Sequence, residues 1–244
     1  MSDLKNRVTL VTGGSRGIGK AIALALADAG AAVAVNYRAR GDEAEAVAEA
    51  IRRNGGKAAA FGADVSSGAA VATMIKDIED RLGRIDILVN NAGMGQQHGL
   101  DDITEDDFDR MIAVNLKSVF LCTQAVLPKM RAQRWGRIVN ISSIAARGAG
   151  GVSVVYNASK AGLEGLTRGY ASRLAAEGVT VNAAAPGLTE TEMAQPLIEA
   201  GYVARIPVGR IGTTEEIAQA VMMIVGNAFM TGQTIAVNGG GMFL

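Results

Sequence analysis

The chain has 244 residues, of which 49% are hydrophobic and 31 are glycine, and its 24 basic and 24 acidic side chains leave no net charge. The two kinds of charge are interspersed, which argues against a nucleic-acid surface or a polybasic membrane patch. Because no stretch approaches the roughly 18 uninterrupted apolar residues of a membrane span and the N-terminus lacks the apolar core of a signal peptide, we expect a soluble cytoplasmic protein that acts on small molecules.

The first half of the chain alternates short β-branched runs with longer alanine-rich segments of helical period. The strand-like runs are "RVTLVTGG", "AAVAVNY", "KAAAFGADV" and "IDILVNNAG", and the helical segments cover residues 18–29, 43–53 and 69–82. Apolar strands that alternate with helices are typical of a parallel sheet with both faces covered and with right-handed crossovers.

The second half repeats this rhythm. Helical segments are predicted at 116–134, 157–177 and 214–225, with strands in "GRIVNIS", "VTVNAAAPG" and "QTIAVNGG". The sequence therefore predicts an α/β protein with a Rossmann-type, doubly wound parallel sheet of about seven strands and helices on both faces. No low-complexity tract or linker divides the chain, which favours a single domain over residues 1–244.

The single cysteine and the single histidine offer little chemistry. Cys122 lies in the apolar run "SVFLCTQAVL", so we expect a buried structural thiol and a reducing compartment. His98 lies in the polar loop "GMGQQHG" and is interpreted as a solvated or substrate-rim residue. A lone histidine cannot form a metal site without partners, and none is evident, so no metal is predicted.

A glycine-rich segment, "TGGSRGIG" at residues 12–19, follows the first strand and opens the first helix. Glycine allows the backbone to turn sharply and to approach a pyrophosphate, while the helix N-terminus supplies amides and a positive dipole end. Such a segment can also be an ordinary turn. Its place between a strand and a helix favours dinucleotide binding.

The segment "VVYNASK" places Tyr156 and Lys160 one helical turn apart, where side chains share a face. An isolated tyrosine has a pKa near 10, and a cation ~4 Å away at an effective dielectric of ~20 contributes about 4 kcal/mol. The spacing therefore predicts a lowered tyrosine pKa and proton exchange with an alcohol or a carbonyl. The alternative is a surface pair.

Together these motifs resemble the classical short-chain dehydrogenase/reductase family. The glycine spacing is Gly-x-x-x-Gly-x-Gly, "NNAG" occupies 90–93, and "PGLTET" begins at Pro186; Asn115 lies in "VNL" and Ser143 closes "IVNISS" thirteen residues before Tyr156. The motifs follow one another in the family's order, and the resemblance extends from about Val8 to Gly240.

The resemblance implies roles for four residues. Tyr156 is expected to be the general acid/base, and Lys160 to hold the nicotinamide ribose hydroxyls and lower the tyrosine pKa. Ser143 is expected to orient the substrate carbonyl, and Asn115 to maintain a water-linked proton path. Two alternatives remain: Ser142 in place of Ser143, which the thirteen-residue spacing disfavours, and a purely structural Asn115 that caps or kinks a helix.

The expected cofactor is NADP(H), with NAD(H) less favoured. Tyr37 stands where NAD enzymes carry a carboxylate, and Arg16 and Arg38 can clamp a 2′-phosphate unless they are ordinary surface charges. Asp64 and Val65 match the segment that contacts adenine in the family. The full set of expected cofactor-binding residues is Gly13, Ser15, Arg16, Gly17, Ile18, Gly19, Tyr37, Arg38, Asp64, Val65, Asn91, Ala92, Gly93, Tyr156, Lys160, Pro186, Gly187, Leu188 and Thr191.

Within the family the chain looks most like 3-oxoacyl thioester reductases of fatty acid or polyhydroxyalkanoate synthesis. This implies NADPH-dependent reduction of a 3-oxoacyl thioester to the 3-hydroxyacyl thioester, on acyl carrier protein or coenzyme A. Three features depart from the pattern: a shortened substrate lid within residues 188–208, "NGGG" near the C-terminus, and Glu177 at one of two expected basic carrier sites, of which Arg134 keeps the other.

Other functions stay open at this point. The chain could act on small free ketones, secondary alcohols or sugars, or could be a non-catalytic NADP-sensing or structural subunit, since a fold alone does not determine function. The resemblance also implies a homotetramer formed through the helices at 116–134 and 157–177 and through the C-terminal strand.

Overall fold

The computed structural model describes residues 4–148 and 150–243. Within these residues there are seven strands: β1 (Val8–Val11), β2 (Ala32–Tyr37), β3 (Ala58–Gly62), β4 (Ile87–Asn90), β5 (Gly136–Ile141), β6 (Val179–Pro186) and β7 (Thr234–Val237). The α-helices are α1 (Gly17–Asp28), α2 (Gly41–Arg53), α3 (Gly68–Arg81), α4 (Glu105–Ile112), α5 (Ser118–Ala132), α6 (Val154–Leu174), α7 (Gln195–Glu199) and α8 (Thr214–Gly226).

The strands form one parallel sheet in the order β3-β2-β1-β4-β5-β6-β7, which confirms the predicted fold class. The chain runs outward from β1 to β3 and then returns to add β4 on the other side of β1. Beyond the carboxyl ends of the strands, such a reversal of strand order leaves a crevice in which ligands bind.

The hydrophobic core lies on both faces of the sheet, as the alternation of side chains in a strand requires. Leu10 and Val11 are adjacent in β1 and are both fully buried, yet they belong to different clusters. Val11 packs in the cluster that contains Ile22 of α1, and Leu10 in the cluster that contains Ile78 of α3. Each such buried side chain contributes about 1.5–3 kcal/mol to the free energy of folding.

The helix predicted at 116–134 is longer and less regular than expected. It begins with α4, which a capping box between Thr104 and Asp107 starts, and continues through a π-helical turn at Ala113–Lys117 into α5. Glu105–Ala132 is the one helical stretch in the described residues that is long and apolar enough to cross a membrane by length and composition. Core helices also pass this test, and Cys122 and Met130 of α5 are fully buried.

Helix α6 begins at Val154, three residues before the predicted start. Ser153 caps it, because the Ser153 side chain accepts a hydrogen bond from the Tyr156 backbone N–H at 3.2 Å. A short 3₁₀ turn at Ala175–Glu177 extends the helix, and Gly178 ends it with a φ of 79°. A Cβ atom at Gly178 would lie 2.0 Å from the Arg134 carbonyl oxygen, so only glycine fits there.

Candidate active site

A cleft of about 840 Å³ lies beyond the carboxyl ends of the strands, at the reversal of strand order. The predicted residues that line it are Gly13, Ser15, Arg16, Gly17, Ile18, Gly19, Tyr37, Arg38, Asp64, Val65, Asn91, Ala92, Gly93, Ser143, Tyr156, Lys160, Pro186, Gly187, Leu188 and Thr191. The structure therefore brings together residues that are up to 178 positions apart, from Gly13 to Thr191. Asn115 is outside this lining, although the preceding residue, Val114, is part of it.

Side-chain amides hold the glycine-rich loop in place. The Asn91 Nδ2 group donates to the Thr12 and Gly13 carbonyl oxygens at 2.9 and 3.0 Å. On the other side, the Gly13 backbone N–H donates to Asn36 Oδ1 at 3.2 Å. Asn36 was not predicted; its position at the end of β2 was the only sequence signal for it.

The glycines of this loop are required by its geometry. Gly13 and Gly17 have φ values of 61° and 51°, in the left-handed region. A Cβ atom at Gly19 would lie 2.3 Å from the Gly13 carbonyl oxygen. The loop is thus a cradle of bare backbone at the N-terminus of α1, which fits a pyrophosphate group.

The end of the cleft beside β2 and β3 is closed by Tyr37. A Cβ atom at Gly62 would lie 3.1 Å from the Tyr37 hydroxyl, so the ring packs closely against β3. The Asp64 carboxylate accepts hydrogen bonds from the Ser66 backbone N–H and hydroxyl at 2.9 and 2.6 Å. These bonds lower the pKa of Asp64 and hold it as an acceptor for Ser66.

Three arginines gather at this end: Arg16, Arg38 and Arg40. Arg40 was not predicted, although it is only two residues beyond Arg38. Its guanidinium and that of Arg16 both form ion pairs with Glu192, a residue of the segment expected to be the lid. The sequence contained no signal for this contact, because Glu192 is 176 positions from Arg16.

Tyr156 and Ser143 meet at the inner end of the cleft. Tyr156 is 8% exposed, and the Ser143 side chain forms a hydrogen bond with its hydroxyl. The Ser143 oxygen also accepts from the Ala145 backbone N–H at 3.1 Å, which starts the short 3₁₀ turn Ile144–Ala146. The Ser142 hydroxyl has a different partner, because it donates to Glu164 Oε1 at 3.2 Å.

Lys160 lies one turn along α6, and its ammonium is 5.7 Å from the centre of the Tyr156 ring. It is 5% exposed and donates one of its three N–H groups to the Ile141 carbonyl oxygen at 2.8 Å. Burial lowers the pKa of Lys160 to about 8. The ammonium is therefore held at the end of β5, facing Gly93 across the cleft.

The expected lowering of the tyrosine pKa is wrong for this structure. Burial raises the pKa of Tyr156, and the hydrogen bond with Ser143 opposes that rise only in part. The expectation assumed an ammonium ~4 Å away at a high effective dielectric. The sequence could not show that both groups are buried, which penalises the charged form of each of them.

Asn115 lies in the π-helical turn and is fully buried. Its side-chain oxygen accepts from the Met94 backbone N–H at 2.8 Å, and its Nδ2 group donates to the Met94 carbonyl oxygen and to Ser159 Oγ at 2.9 and 3.1 Å. The side chain thus ties the loop after β4 to α6. This structural function differs from the cap or kink of a helix that the sequence left open, and it does not test the catalytic one.

An ion pair between a buried carboxylate and a partly exposed guanidinium supports the turn that carries Ser143. The Glu164 side chain is 3% exposed and accepts from Arg147 Nε at 2.8 Å, in addition to its bond from Ser142. Glu164 follows Lys160 by one turn of α6, so Tyr156, Lys160 and Glu164 share a face. Both Glu164 and Arg147 were missed, although the four-residue spacing of Glu164 from Lys160 was a usable signal.

The segment expected to be the lid contains α7 and two 3₁₀ turns, Glu192–Ala194 and Tyr202–Arg205. It contacts the opposite wall of the cleft: a Cβ atom at Gly151 would lie 2.8 Å from Leu197 and 2.9 Å from Tyr202. Met193 makes a similar approach to Gly95 at 3.1 Å. The inner part of the cleft is therefore walled mainly by apolar side chains.

Three residues outside the cleft, Cys122, His98 and Glu177, were also given roles from the sequence, and the structure agrees with some of these roles and not with others. Cys122 is fully buried, and burial raises the pKa of its thiol to about 12, as expected of a structural cysteine. The His98 side chain is only 12% exposed and lies 3.8 Å from Asp107, so it is not a solvated residue. Glu177 forms an ion pair with Arg131, with an Nη2–Oε1 distance of 3.0 Å.

Comparison with known proteins places this cleft in a family. The model of the family described as short chain dehydrogenase matches residues 7–201. A 3-oxoacyl-(acyl-carrier-protein) reductase FabG of Staphylococcus epidermidis is 43% identical over 96% of this chain and 98% of its own length. A 3-oxoacyl-(acyl-carrier-protein) reductase of Synechocystis is 44% identical over 98% of both chains.

Solved structures agree with this assignment. A short-chain type dehydrogenase/reductase from Mycobacterium marinum superposes with a TM-score of 0.93 at 35% identity, covering 98% of this chain and 96% of the other. A gluconate 5-dehydrogenase from Burkholderia cenocepacia, in complex with NADP and tartrate, superposes with a TM-score of 0.91 at 37% identity, covering 97% and 95%. The chain is therefore a member of the short chain dehydrogenase family of oxidoreductases.

Proposed function

We propose that this protein reduces a 3-oxoacyl thioester to the 3-hydroxyacyl thioester with NADPH. The observation that carries the proposal is the contact between the Tyr156 hydroxyl and the Ser143 side chain at the inner end of the cleft, with the Lys160 ammonium one helical turn away. Two hydroxyl groups that converge on one point suit a carbonyl oxygen on which negative charge develops.

Proton donation is assigned to Tyr156. When bound, the nicotinamide supplies a hydride to the carbonyl carbon. The Tyr156 O–H bond breaks and its proton goes to the carbonyl oxygen, so hydride and proton together complete the alcohol. Because burial raises the tyrosine pKa, the phenol is protonated at neutral pH and is ready to donate. Ser143 orients the carbonyl by donating a second hydrogen bond.

Lys160 and Asn115 are assigned to the supply of that proton. Two N–H groups of the Lys160 ammonium remain beyond the bond to the Ile141 carbonyl oxygen, and they are assigned to the ribose hydroxyls next to the nicotinamide. Asn115 supports this arrangement from the π-helical turn, through Ser159 and Met94. Its water-linked path to Lys160 is part of the proposal.

Dinucleotide binding is assigned to the residues that line the rest of the cleft. The bare backbone from Gly13 to Gly19 would take the pyrophosphate, and Asp64 and Val65 the adenine. Pro186, Gly187, Leu188 and Thr191 would border the nicotinamide from the carboxyl end of β6. NADP is favoured over NAD because Tyr37 replaces the usual carboxylate and because Arg16, Arg38 and Arg40 surround this end.

The acyl chain is assigned to the apolar inner part of the cleft. Met94, Val152, Met193 and Leu197 line it, and the segment at 188–208 is proposed as the lid. The curated relatives that are 43% and 44% identical act, by their names, on 3-oxoacyl groups carried by acyl carrier protein. A sugar-acid substrate is the second candidate, because a gluconate 5-dehydrogenase shares the fold at 37% identity.

Assembly as a homotetramer and a cytoplasmic location are also proposed. β7 is an edge strand of the sheet, and Phe120 of α5 and Phe243 near the C-terminus are 44% and 90% exposed. Exposed apolar side chains on a helix face and beside an open sheet edge suit contacts between copies. Light scattering after size-exclusion chromatography tests the tetramer.

The loss of NADPH absorbance with a panel of substrates tests the proposed reaction. We expect the highest kcat/KM with an acetoacetyl thioester, and a lower value with small free ketones and with 5-ketogluconate. A higher kcat/KM with the free ketones or the sugar acid would reject the thioester in favour of the second candidate.

A further inference from the structure

Glu192 lies between two cleft arginines. Its carboxylate forms an ion pair with the Arg16 guanidinium and accepts from Arg40 Nη2 at 3.2 Å and from Arg40 Nη1 at 3.4 Å. Glu192 belongs to the proposed lid, whereas Arg16 is in the glycine-rich loop and Arg40 precedes α2. One carboxylate therefore joins three separate segments at the mouth of the cleft.

The same arginines line the end of the cleft next to Tyr37, where the proposed function places the 2′-phosphate. A carboxylate and a phosphate use the same guanidinium N–H groups, since each presents two acceptor oxygens at a spacing that the guanidinium fork can bind in a bidentate way. The ion pairs with Arg16 lower the pKa of Glu192, so the carboxylate is charged at neutral pH. A phosphate that enters therefore finds the guanidinium groups of Arg16 and Arg40 already paired, and it is repelled by the negative charge of Glu192.

We propose that Glu192 is a residue of cofactor specificity, whose carboxylate competes with the 2′-phosphate of NADP for Arg16 and Arg40 and so reduces the preference for NADP over NAD. This inference rests on the proposed cofactor. The apparent dissociation constant of a ligand rises as the fraction of protein with a free site falls, so an ion pair at the arginines weakens a ligand that needs them. A ligand without the 2′-phosphate does not need them and is affected less.

Two nucleotide fragments separate these effects without any turnover. Calorimetric titration of the full chain would use adenosine 2′,5′-bisphosphate, which carries the 2′-phosphate, and adenosine 5′-monophosphate, which lacks it. The variant is Glu192→Gln, which keeps the shape and removes the charge. The matched control is Glu199→Gln, the same change in the proposed lid but outside the cleft lining, at an exposed residue bonded to Gln195.

Because exposed ion pairs are modest in strength, we expect Glu192→Gln to bind the bisphosphate about three to ten times more tightly than the wild type does. The Kd of the monophosphate should change by less than about twofold in this variant. In Glu199→Gln, the Kd values of both ligands should stay within about twofold of those of the wild type. Melting curves should coincide for all three proteins, since Glu192 and Glu199 are exposed.

The outcomes separate the inference from the proposed cofactor. If the wild type prefers the bisphosphate but Glu192→Gln does not bind it more tightly, then Glu192 does not compete with the phosphate, and the proposed preference for NADP is retained. An equal gain in affinity for the bisphosphate in Glu199→Gln would show that the effect comes from net charge, and this result would also overturn the inference. If the wild type binds both fragments with equal affinity, the proposed preference for NADP is itself rejected.

Discussion

At the scale of single residues, burial decides the charge state of the site. Tyr156 and Lys160 are both almost fully removed from water, and burial raises the pKa of Tyr156 while lowering that of Lys160 to about 8. Burial opposes the charged form in both cases, so a neutral phenol lies beside an ammonium that loses its proton easily. The phenol therefore carries the proton that donation to a carbonyl oxygen requires.

Tyr156→Phe should remove most of the turnover and leave cofactor affinity nearly unchanged. The substitution keeps the ring and removes only the proton and the hydroxyl that contacts Ser143. We expect kcat to fall at least about a hundredfold, as for the loss of a general acid. Steady-state rates and the Kd for NADPH from fluorescence titration check this; a kcat above about a tenth of the wild-type value would reject the assignment.

The affinity for NADPH should depend on pH through Lys160. The proposed contact with the ribose hydroxyls requires the ammonium form, so we expect full affinity below pH about 8 and a decrease as the pH rises above this value. The slope approaches about one decade per pH unit, until the pKa of the complex is reached. Fluorescence titrations from pH about 7 to about 9.5 check this, and Lys160→Ala should give a weaker and flatter profile. A wild-type affinity independent of pH would contradict the assignment.

At the scale of elements, two helices present their groups by different means. Helix α1 offers its N-terminus. A ligand can approach it only because the loop carries glycines: a Cβ atom at Gly19 would lie 2.3 Å from the Gly13 carbonyl oxygen. Helix α6 offers a face on which Tyr156, Lys160 and Glu164 follow at four-residue intervals. The first site depends on the absence of side chains and the second on their spacing.

Gly19→Ala should abolish dinucleotide binding. The added methyl group must displace either the Gly13 backbone or the Asn91 amide, whose Nδ2 would be 2.5 Å away, and both shape the loop. We expect a loss of stability of about 1–3 kcal/mol from overpacking. Gly68→Ala at the start of α3 is the matched control, since its nearest neighbour would be Leu121 at an ordinary 3.6 Å. Equal affinity for NADPH in both variants would contradict the importance of the loop.

The ion pair between Glu164 of α6 and Arg147 of the preceding turn should show an unequal response to the loss of each partner. Glu164 is 3% exposed and Arg147 is 42% exposed, so removal of the arginine leaves a buried carboxylate with only Ser142 and the more distant Arg168 as partners. We expect Arg147→Met to lower the free energy of unfolding by about 2–4 kcal/mol and Glu164→Gln by about 1 kcal/mol.

Urea unfolding at neutral pH measures both changes. In Arg147→Met, kcat should fall as well, because Arg147 and Glu164 hold the turn that begins at Ser143. A larger loss of stability in Glu164→Gln than in Arg147→Met would show that solvent or Arg168, 4.0 Å away, already compensates the carboxylate.

At the scale of the whole molecule, the surface near the C-terminal end of α6 is where the resemblance implies that a charged carrier would dock. The acidic Glu177 stands where resemblance implies a basic residue, but its pairing with Arg131 cancels its charge locally. Arg134 lies beside it and donates to the Ala176 carbonyl oxygen at 2.8 Å. This surface therefore repels an acidic carrier less than the sequence implied. It also attracts such a carrier less than a surface with a second unpaired basic side chain would.

Glu177→Arg should raise kcat/KM for a carrier-linked substrate only. The change replaces an acid by a base and also releases Arg131 from its partner. Surface charges act mainly on the rate of encounter, so we expect about a three- to tenfold gain at low salt and little gain at physiological ionic strength, where the Debye length is about 8 Å. Assays with matched acetoacetyl thioesters of carrier protein and coenzyme A check this. A strong preference of the wild type for the carrier form that Glu177→Arg leaves unchanged would place docking on another surface.

The sequence by itself determined the elements and most of the cleft. Alternating apolar runs and segments of helical period predicted seven parallel strands, because side-chain periodicity follows directly from local backbone geometry. Motif order placed Gly13, Ser143, Tyr156 and the other predicted residues in one site, with Asn115 just behind its lining. Helix α4 was missed although its capping box and acidic first turn are signals of a helix start, and the start of α6 was placed late because Ser153 acts as the cap. The extent of a single domain and of a lid at 188–208 stays a prediction.

Only the tertiary structure decided the electrostatics of the site. The pKa of Tyr156 rises instead of falling, because burial depends on elements that pack from distant parts of the chain. Glu192 reaches Arg16 and Arg40 from 176 and 152 positions away, and Glu177 reaches Arg131 from 46. Such pairs have no periodicity or fixed spacing in the sequence. The Glu192 pairs form because the sheet brings the carboxyl ends of its strands, and the loops that follow them, to one edge. The Glu177 pair forms at the opposite edge, where the segments that precede β5 and β6 lie side by side.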